Sequence, residues 1–278
     1  MSVIRIASTS YLNALPLSWG FTNGPFREMY DISFHNPADC ADLLERGKTD
    51  VALIPSIEYQ RIAGIRILPG IAVASKGRVN SVILVSKVRF EAISSVAVDQ
   101  ASRTAVTLLR ILLRERGFHQ PRFTSMPADL NRMLLDHDAA LIIGDAALRA
   151  ATGDLQVFDL AWEWRALTGL PFVFAFWAAR PGSRMLEDHR PFLASRRIGL
   201  AAIDQIARAH AEGSGLRPAE IAKYLRVNIH YYLGSQEQQS LELFFRKARE
   251  NSLIPAIQEI TFQREDTQEG LQEAMGTQ

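Results

Sequence analysis

The chain has 278 residues, 47% hydrophobic and 22% charged, enough for one large or two smaller packed domains and without any disordered tract. Its 31 basic and 30 acidic residues leave a formal net charge of +1, so no global field draws nucleic acid or an anionic membrane, and an anionic ligand must be recognised locally. The single cysteine, Cys40, excludes an internal disulfide. The first residues lack a basic leader with a long apolar core, and no run reaches the roughly 18 apolar residues of a membrane span, so a cytoplasmic location is expected.

Val3 to Ala7 reads as a first strand running into Ser8-Thr9-Ser10-Tyr11-Leu12-Asn13-Ala14-Leu15-Pro16. Hydroxyls, a phenol and an amide crowd a strand's carboxyl end, where ligands bind in open α/β sheets. Ser and Asn are also preferred helix caps, so Ser10 and Asn13 read either way. Asn36-Pro37 followed by Asp39 to Arg46 predicts a capped amphipathic helix closed by Gly47. The strand Asp50 to Ile54 ends at Pro55-Ser56, and Ile57 to Arg61 begins a short helix on which Glu58 and Tyr59 read as surface groups. Ser81 to Val85 is a further apolar run. Val96 to Val98 leads through Asp99-Gln100-Ala101-Ser102-Arg103-Thr104 into a helix reaching about Arg116, with Ser102 as its expected cap and Leu108, Leu109, Ile111, Leu112 and Leu113 on its buried face. Ala139 to Ile143 is a buried strand ending at Gly144-Asp145, where Asp145 either caps a helix or orients a ligand-binding residue. Pro171 to Ala179 is a long apolar and aromatic strand, and residues 184–251 read as helices.

Strands alternating with helices over short connections predict parallel βαβ units and an α/β class. With no linker and no repeat, two lobes require two crossovers, expected at the strands around Val82 to Ser86 and Phe172 to Ala178. The expected division is a first lobe of residues 1–86 and 174–278, carrying the C-terminal helices, and an inserted second lobe of residues 87–173. Ligand would be held between them by strand-end loops, as in type II periplasmic-binding-protein-like folds.

Six stretches in order, Ser10 to Pro16, Asp50 to Tyr59, Val79 to Val82, Asp99 to Thr104, Ile143 to Asp145, and Trp164 with Thr168 to Ala175, resemble the chorismate dehydratase family of the futalosine route to menaquinone. The resemblance covers residues 3–180 closely and the helical tail loosely. It implies an enzyme of that two-lobed fold that converts chorismate into 3-(1-carboxyvinyloxy)benzoate and water without cofactor or metal. The related 1,4-dihydroxy-6-naphthoate synthase carries a different first loop and a catalytic histidine. Here no histidine lies at an expected strand end. Asn13 is the expected catalytic residue, with Ser10, Ser56, Ser81, Ser102, Arg103, Thr104, Gly144 and Asp145 binding substrate. Ser102-Arg103-Thr104 offers hydroxyls, a guanidinium and free N–H groups at a helix start, which suits a carboxylate. Ser81 either reaches the substrate or bonds locally in a hinge strand. Few titratable groups stand at these positions, so the enolpyruvyl carboxylate of the substrate is the expected base.

Other chemistries find little support. His35, His119, His137, His189, His210 and His230 are dispersed and lack ligand spacing. There is no nucleophile elbow, phosphate loop or dinucleotide fingerprint. The rings of Trp162, Trp164, Phe172, Phe174, Phe176 and Trp177 read mainly as core, with one or two walling the cleft. Leu216 to Asn228 resembles the start of a helix-turn-helix, but the apolar continuation through Ile229, Tyr231, Tyr232 and Leu233 favours a packing helix. A non-catalytic solute-binding protein or regulator lobe would share the fold. Expected partners are a small dianion and neither nucleic acid nor membrane; a homodimer is left open.

Overall fold

The local signals fold as their chemistry requires. In the computed structural model, which describes residues 3–118 and 120–262 and so leaves His119 outside, the Asn36 side chain accepts the Asp39 N–H at 2.9 Å. Pro37 takes the first helical position, where its missing N–H costs nothing, and the helix Pro37–Glu45 is followed by Gly47 at φ 69°. Two five-stranded sheets carry the rest. The first contains β1 (Ile4–Thr9), β2 (Tyr30–His35), β3 (Val51–Pro55), β4 (Arg66–Ser75) and, far along the chain, β10 (Phe172–Ala179), in the order β2-β1-β3-β10-β4. The second contains β5 (Val82–Ser86), β6 (Ser95–Asp99), β7 (Arg122–Met126), β8 (Ala139–Ile143) and β9 (Gln156–Asp159), in the order β7-β6-β8-β5-β9. β1 runs parallel to β2 and β3, and β6 runs parallel to β7 and β8. β10 and β5 run antiparallel to their neighbours.

Both crossovers fall earlier than the sequence suggests. The apolar strand Val82–Ser86, expected within the first lobe, is laddered to β8 and β9 of the second sheet, Val82 opposite Ile143 and Ile83 opposite Asp159. Phe172 and Val173, expected in the second lobe, pair with Ser75 and Ala74 of the first sheet. An apolar run reads the same whichever sheet it joins, and only the long-range partner decides. β2, β4, β7 and β9 were not among the expected strands. β2 and β7 have few buried residues at the sheet edges, where the strand pattern is weakest.

The helices, in chain order, are α1 (Leu15–Thr22), α2 (Pro37–Glu45), α3 (Thr104–Glu115), α4 (Leu130–Leu135), α5 (Gly144–Leu148), α6 (Leu160–Thr168), α7 (Arg190–Ala201), α8 (Ile203–Ala211), α9 (Pro218–Lys223) and α10 (Ser235–Glu250). α1, buried from Leu15 to Phe21, fixes the first turn by its close approach to α7. Gly20 donates its N–H to Ser195 Oγ at 3.0 Å, and the same hydroxyl donates to the Leu17 carbonyl at 2.7 Å. Gly199 lies so close to the Pro16 backbone that a Cβ there would collide with the Pro16 carbonyl. α3 buries Leu108, Leu109, Ile111, Leu112 and Leu113 as expected. Among the described residues no helix is long and apolar enough to cross a membrane.

Candidate active site

The cleft between the two sheets is built from strand ends and one helix start. From the first turn come Thr9, Tyr11 and Asn13; from the start of α3 and the residues before it come Ala101 to Ala105. Leu53, Val73, Val82 and Phe174 supply apolar walls. The ladder between β10 and β4 shifts register between Val173 and Ala175, so Phe174 is the extra residue of a bulge, and its ring is turned toward the cleft. Trp164, Phe172, Phe176 and Trp177 are core residues, Trp164 donating its indole N–H to Ser240 Oγ at 3.0 Å. Gly144, at φ 62°, lets the second lobe meet the first, because a Cβ there would stand 2.6 Å from Cδ2 of Tyr11.

Asn13, Ser102, Arg103, Thr104 and Gly144 line the cleft; Ser10, Ser56, Ser81 and Asp145 do not. Asn13 lies inside a one-turn 3₁₀ helix, Leu12–Ala14, whose cap is Tyr11, so its amide is not used in capping. Ser102 does not cap α3. The residue before that helix is Arg103, and the buried Ser102 hydroxyl has no partner. Thr104 Oγ1 accepts the Ile57 N–H at 3.2 Å from the opposite lobe. Ser56 is fully buried and donates to the Val173 carbonyl at 2.9 Å. Ser10 is exposed. Asp145 neither caps its helix nor faces the cleft; its carboxylate accepts the Leu12 N–H across the lobes at 3.0 Å, and burial holds its pKa above the usual carboxylate range.

Among the described residues Arg103 is the one charged residue lining the cleft, and its charge is already answered. One guanidinium nitrogen donates to Glu58 at 2.9 Å and another to Asp42 at 2.7 Å. Glu58 is therefore not a surface group: it is 3% exposed and also pairs with Arg61 at 2.6 Å, while Tyr59 is wholly buried and bonds the Glu259 carbonyl. Around the start of α3 the cleft instead presents hydroxyls and N–H groups, the first turn of the helix leaving backbone donors free of helical partners.

Tyr224, which the sequence did not single out, donates its phenol to Ser81 Oγ at 2.7 Å, and burial raises its pKa above the usual phenol range. Ser81 is accordingly engaged at the hinge and has no exposed surface. Asp99, also unmarked, is 4% exposed at the end of β6, with its pKa raised by burial. An acid at the carboxyl end of an apolar strand was the one sequence signal for it. Tyr224 had none, because its partner Ser81 lies 143 residues away in the chain. One histidine does sit at a strand end: His35 closes β2, but its ring bonds Ser33 Oγ at 2.9 Å and does not line the cleft.

This arrangement of strand-end turns around a cleft coincides with a match to a family of menaquinone biosynthesis proteins that spans residues 4–250. The chain belongs to that family. It is 31% identical over 256 residues to the chorismate dehydratase of Thermus thermophilus, an overlap covering 84% of this chain and 91% of the relative. Among solved structures, protein AF1704 from Archaeoglobus fulgidus superposes with a TM-score of 0.73 at 20% identity, covering 90% of this chain and 98% of the other. The periplasmic aliphatic sulphonate binding protein SsuA of Escherichia coli gives 0.62 at 20% identity, covering 97% and 96%. These likenesses place the family member in the periplasmic-binding-protein fold, as the alternation of strands and helices led us to expect.

Proposed function

We propose that this protein is a chorismate dehydratase, a carbon–oxygen lyase that needs no cofactor. The observation that carries the reading is the 31% identity to the Thermus thermophilus enzyme across 84% of this chain, beside a family match whose residues 4–250 include those that line the cleft. The cleft suits the substrate in kind: apolar walls for a cyclohexadiene ring, and uncharged donors rather than a free cation for its carboxylates. Ser102, Thr104 and the backbone N–H groups beside them bind a carboxylate, with Arg103 holding that segment in place through Glu58 and Asp42.

In the reaction, the hydrogen on the ring carbon bearing the ether oxygen passes to the enolpyruvyl carboxylate of the same molecule. The electron pair left behind forms the new ring double bond, and the neighbouring hydroxyl leaves, taking up the proton as water. Aromaticity makes the step strongly downhill, so the barrier is one of positioning, the kind of barrier that an oriented intramolecular base lowers. Asn13, which both donates and accepts, is the residue placed to orient the departing hydroxyl. Purified protein given chorismate, without added metal or nucleotide, is expected to generate a new aromatic absorbance that a chelator does not suppress. Chorismate recovered unchanged at high protein concentration rejects the proposal, and binding without turnover marks a small-anion-binding protein instead.

A further inference from the structure

Three phenylalanines stand at alternate places on β10, and two of them are core: Phe172 and Phe176 are 1% and 0% exposed. Phe174, between them, keeps accessible surface and lines the cleft. A bulge is a common device for re-aiming one side chain beside an active site, and this one is held in place. The Val173 carbonyl, one residue before the bulged position, accepts the hydroxyl of fully buried Ser56 at 2.9 Å. The ring itself is braced from behind. Its centroid lies 4.8 Å from that of Phe172 with the two planes at 67°, and Phe172 in turn meets Trp164 and Phe244 edge-on at 5.4 and 5.1 Å. All three bracing rings are at most 1% exposed, so this wall cannot fall back to admit a thicker ligand. The other ring lining the cleft, Tyr11, is packed against Gly144, while Leu53, Val73 and Val82 are aliphatic. A ligand that fills the cleft therefore meets both the donors at the start of α3 and the Phe174 ring.

We propose that Phe174 is a specificity-determining residue that selects acids with a flat, unsaturated six-membered ring over saturated acids of the same size. The proposal deepens the dehydratase reading and rests on it for its kinetic arm only. An aromatic ring attracts a second π system through offset or edge contacts, which is worth about two- to tenfold in affinity beyond the area buried, whereas a puckered saturated ring is thicker and gains none of it. Benzoate and cyclohexanecarboxylate carry the same charge on the same number of carbons and separate the two cases. In NMR titrations of the purified protein, benzoate is expected to bind about two- to tenfold more tightly. Phe174→Leu is expected to bind the two acids alike, and Phe174→Tyr, which keeps the ring, to retain the preference. A merely structural role for Phe174 would instead weaken both acids together. On chorismate, Phe174→Leu is expected to raise KM by about two- to tenfold with kcat within about threefold, because the wall meets the ring in the ground state and the transition state alike.

Equal affinities in the wild type, binding of neither acid, or a preference that survives Phe174→Leu each overturn the proposal. If the wild-type protein leaves chorismate untouched, the dehydratase reading fails alone, and the titrations still decide what Phe174 selects. If the Leu variant does not fold, Phe174→Met carries the same comparison.

Discussion

Asn13 lines the cleft and caps no helix. Asp caps helices as well as Asn does, so a capping residue would tolerate Asn13→Asp. Here Tyr11 is the cap. The new carboxylate would face a dianion and lose the amide donor, and turnover is expected to fall at least about tenfold, equivalent to about 1.4 kcal/mol, at unchanged melting temperature. Steady-state kinetics on the two folded proteins check this. Ser102 and Thr104 separate binding from stability. Ser102→Ala removes a buried hydroxyl that has no partner in the protein, so it should leave the melting temperature unchanged or raised while weakening substrate binding by about 0.5–1.5 kcal/mol. Thr104→Ala also strips the Ile57 N–H of its acceptor and is expected to cost about 1–3 kcal/mol of stability. Calorimetry on the pair distinguishes them; equal melting losses would remove Ser102 from the site.

At the level of elements, what could be read in advance was what is written locally. Asn36, Pro37 and Gly47 specify α2 within a dozen residues, and the leucines of α3 announce its buried face. Sheet membership was not readable, because Val82–Ser86 carries the same apolar signal in either sheet. Nor were the site's supports, since Asp42 and Glu58 reach Arg103, and Tyr224 reaches Ser81, only after the chain has folded. Some supports are nonetheless local enough to test by pH. Asp138, just before β8, accepts bonds from the N–H and hydroxyl groups of Ser94 and Ser95 at 2.6 to 3.0 Å, which tie it to the start of β6. These bonds, led by the Ser94 hydroxyl, lower its pKa to about 2, against about 3.9 in the unfolded chain. A depressed folded pKa gives stability that is present above about pH 4 and lost as pH falls toward about 2. Asp138→Asn should therefore melt lower than the wild type at neutral pH, with the gap closing between about pH 4 and pH 2 in thermal scans.

In the whole molecule, the same polar groups that shape the cleft also hold its walls together. Arg103 reaches from the second lobe to Asp42 and Glu58 of the first, while Leu12 and Asp145, and Ile57 and Thr104, add bonds across the gap. Arg103→Lys keeps the charge but cannot serve two carboxylates with one planar fork. Its expected result is a larger radius of gyration in small-angle scattering without substrate, with the gap to the wild type narrowing when chorismate is bound. Identical radii for the two free proteins would show that the lobes are held elsewhere.

The strand order of the first sheet also sets a schedule for synthesis. β10 lies between β3 and β4, so until residue 179 has left the ribosome those strands have an empty place between them. The second sheet needs only residues 82–159, an unbroken stretch that can pair fully while the first sheet still waits. Domains fold as units during synthesis, so the lobe inserted in the sequence matures before the lobe that surrounds it. Through that interval the nascent chain displays two unpaired, strongly apolar strand edges, an aggregation hazard set by the topology rather than by the final stability.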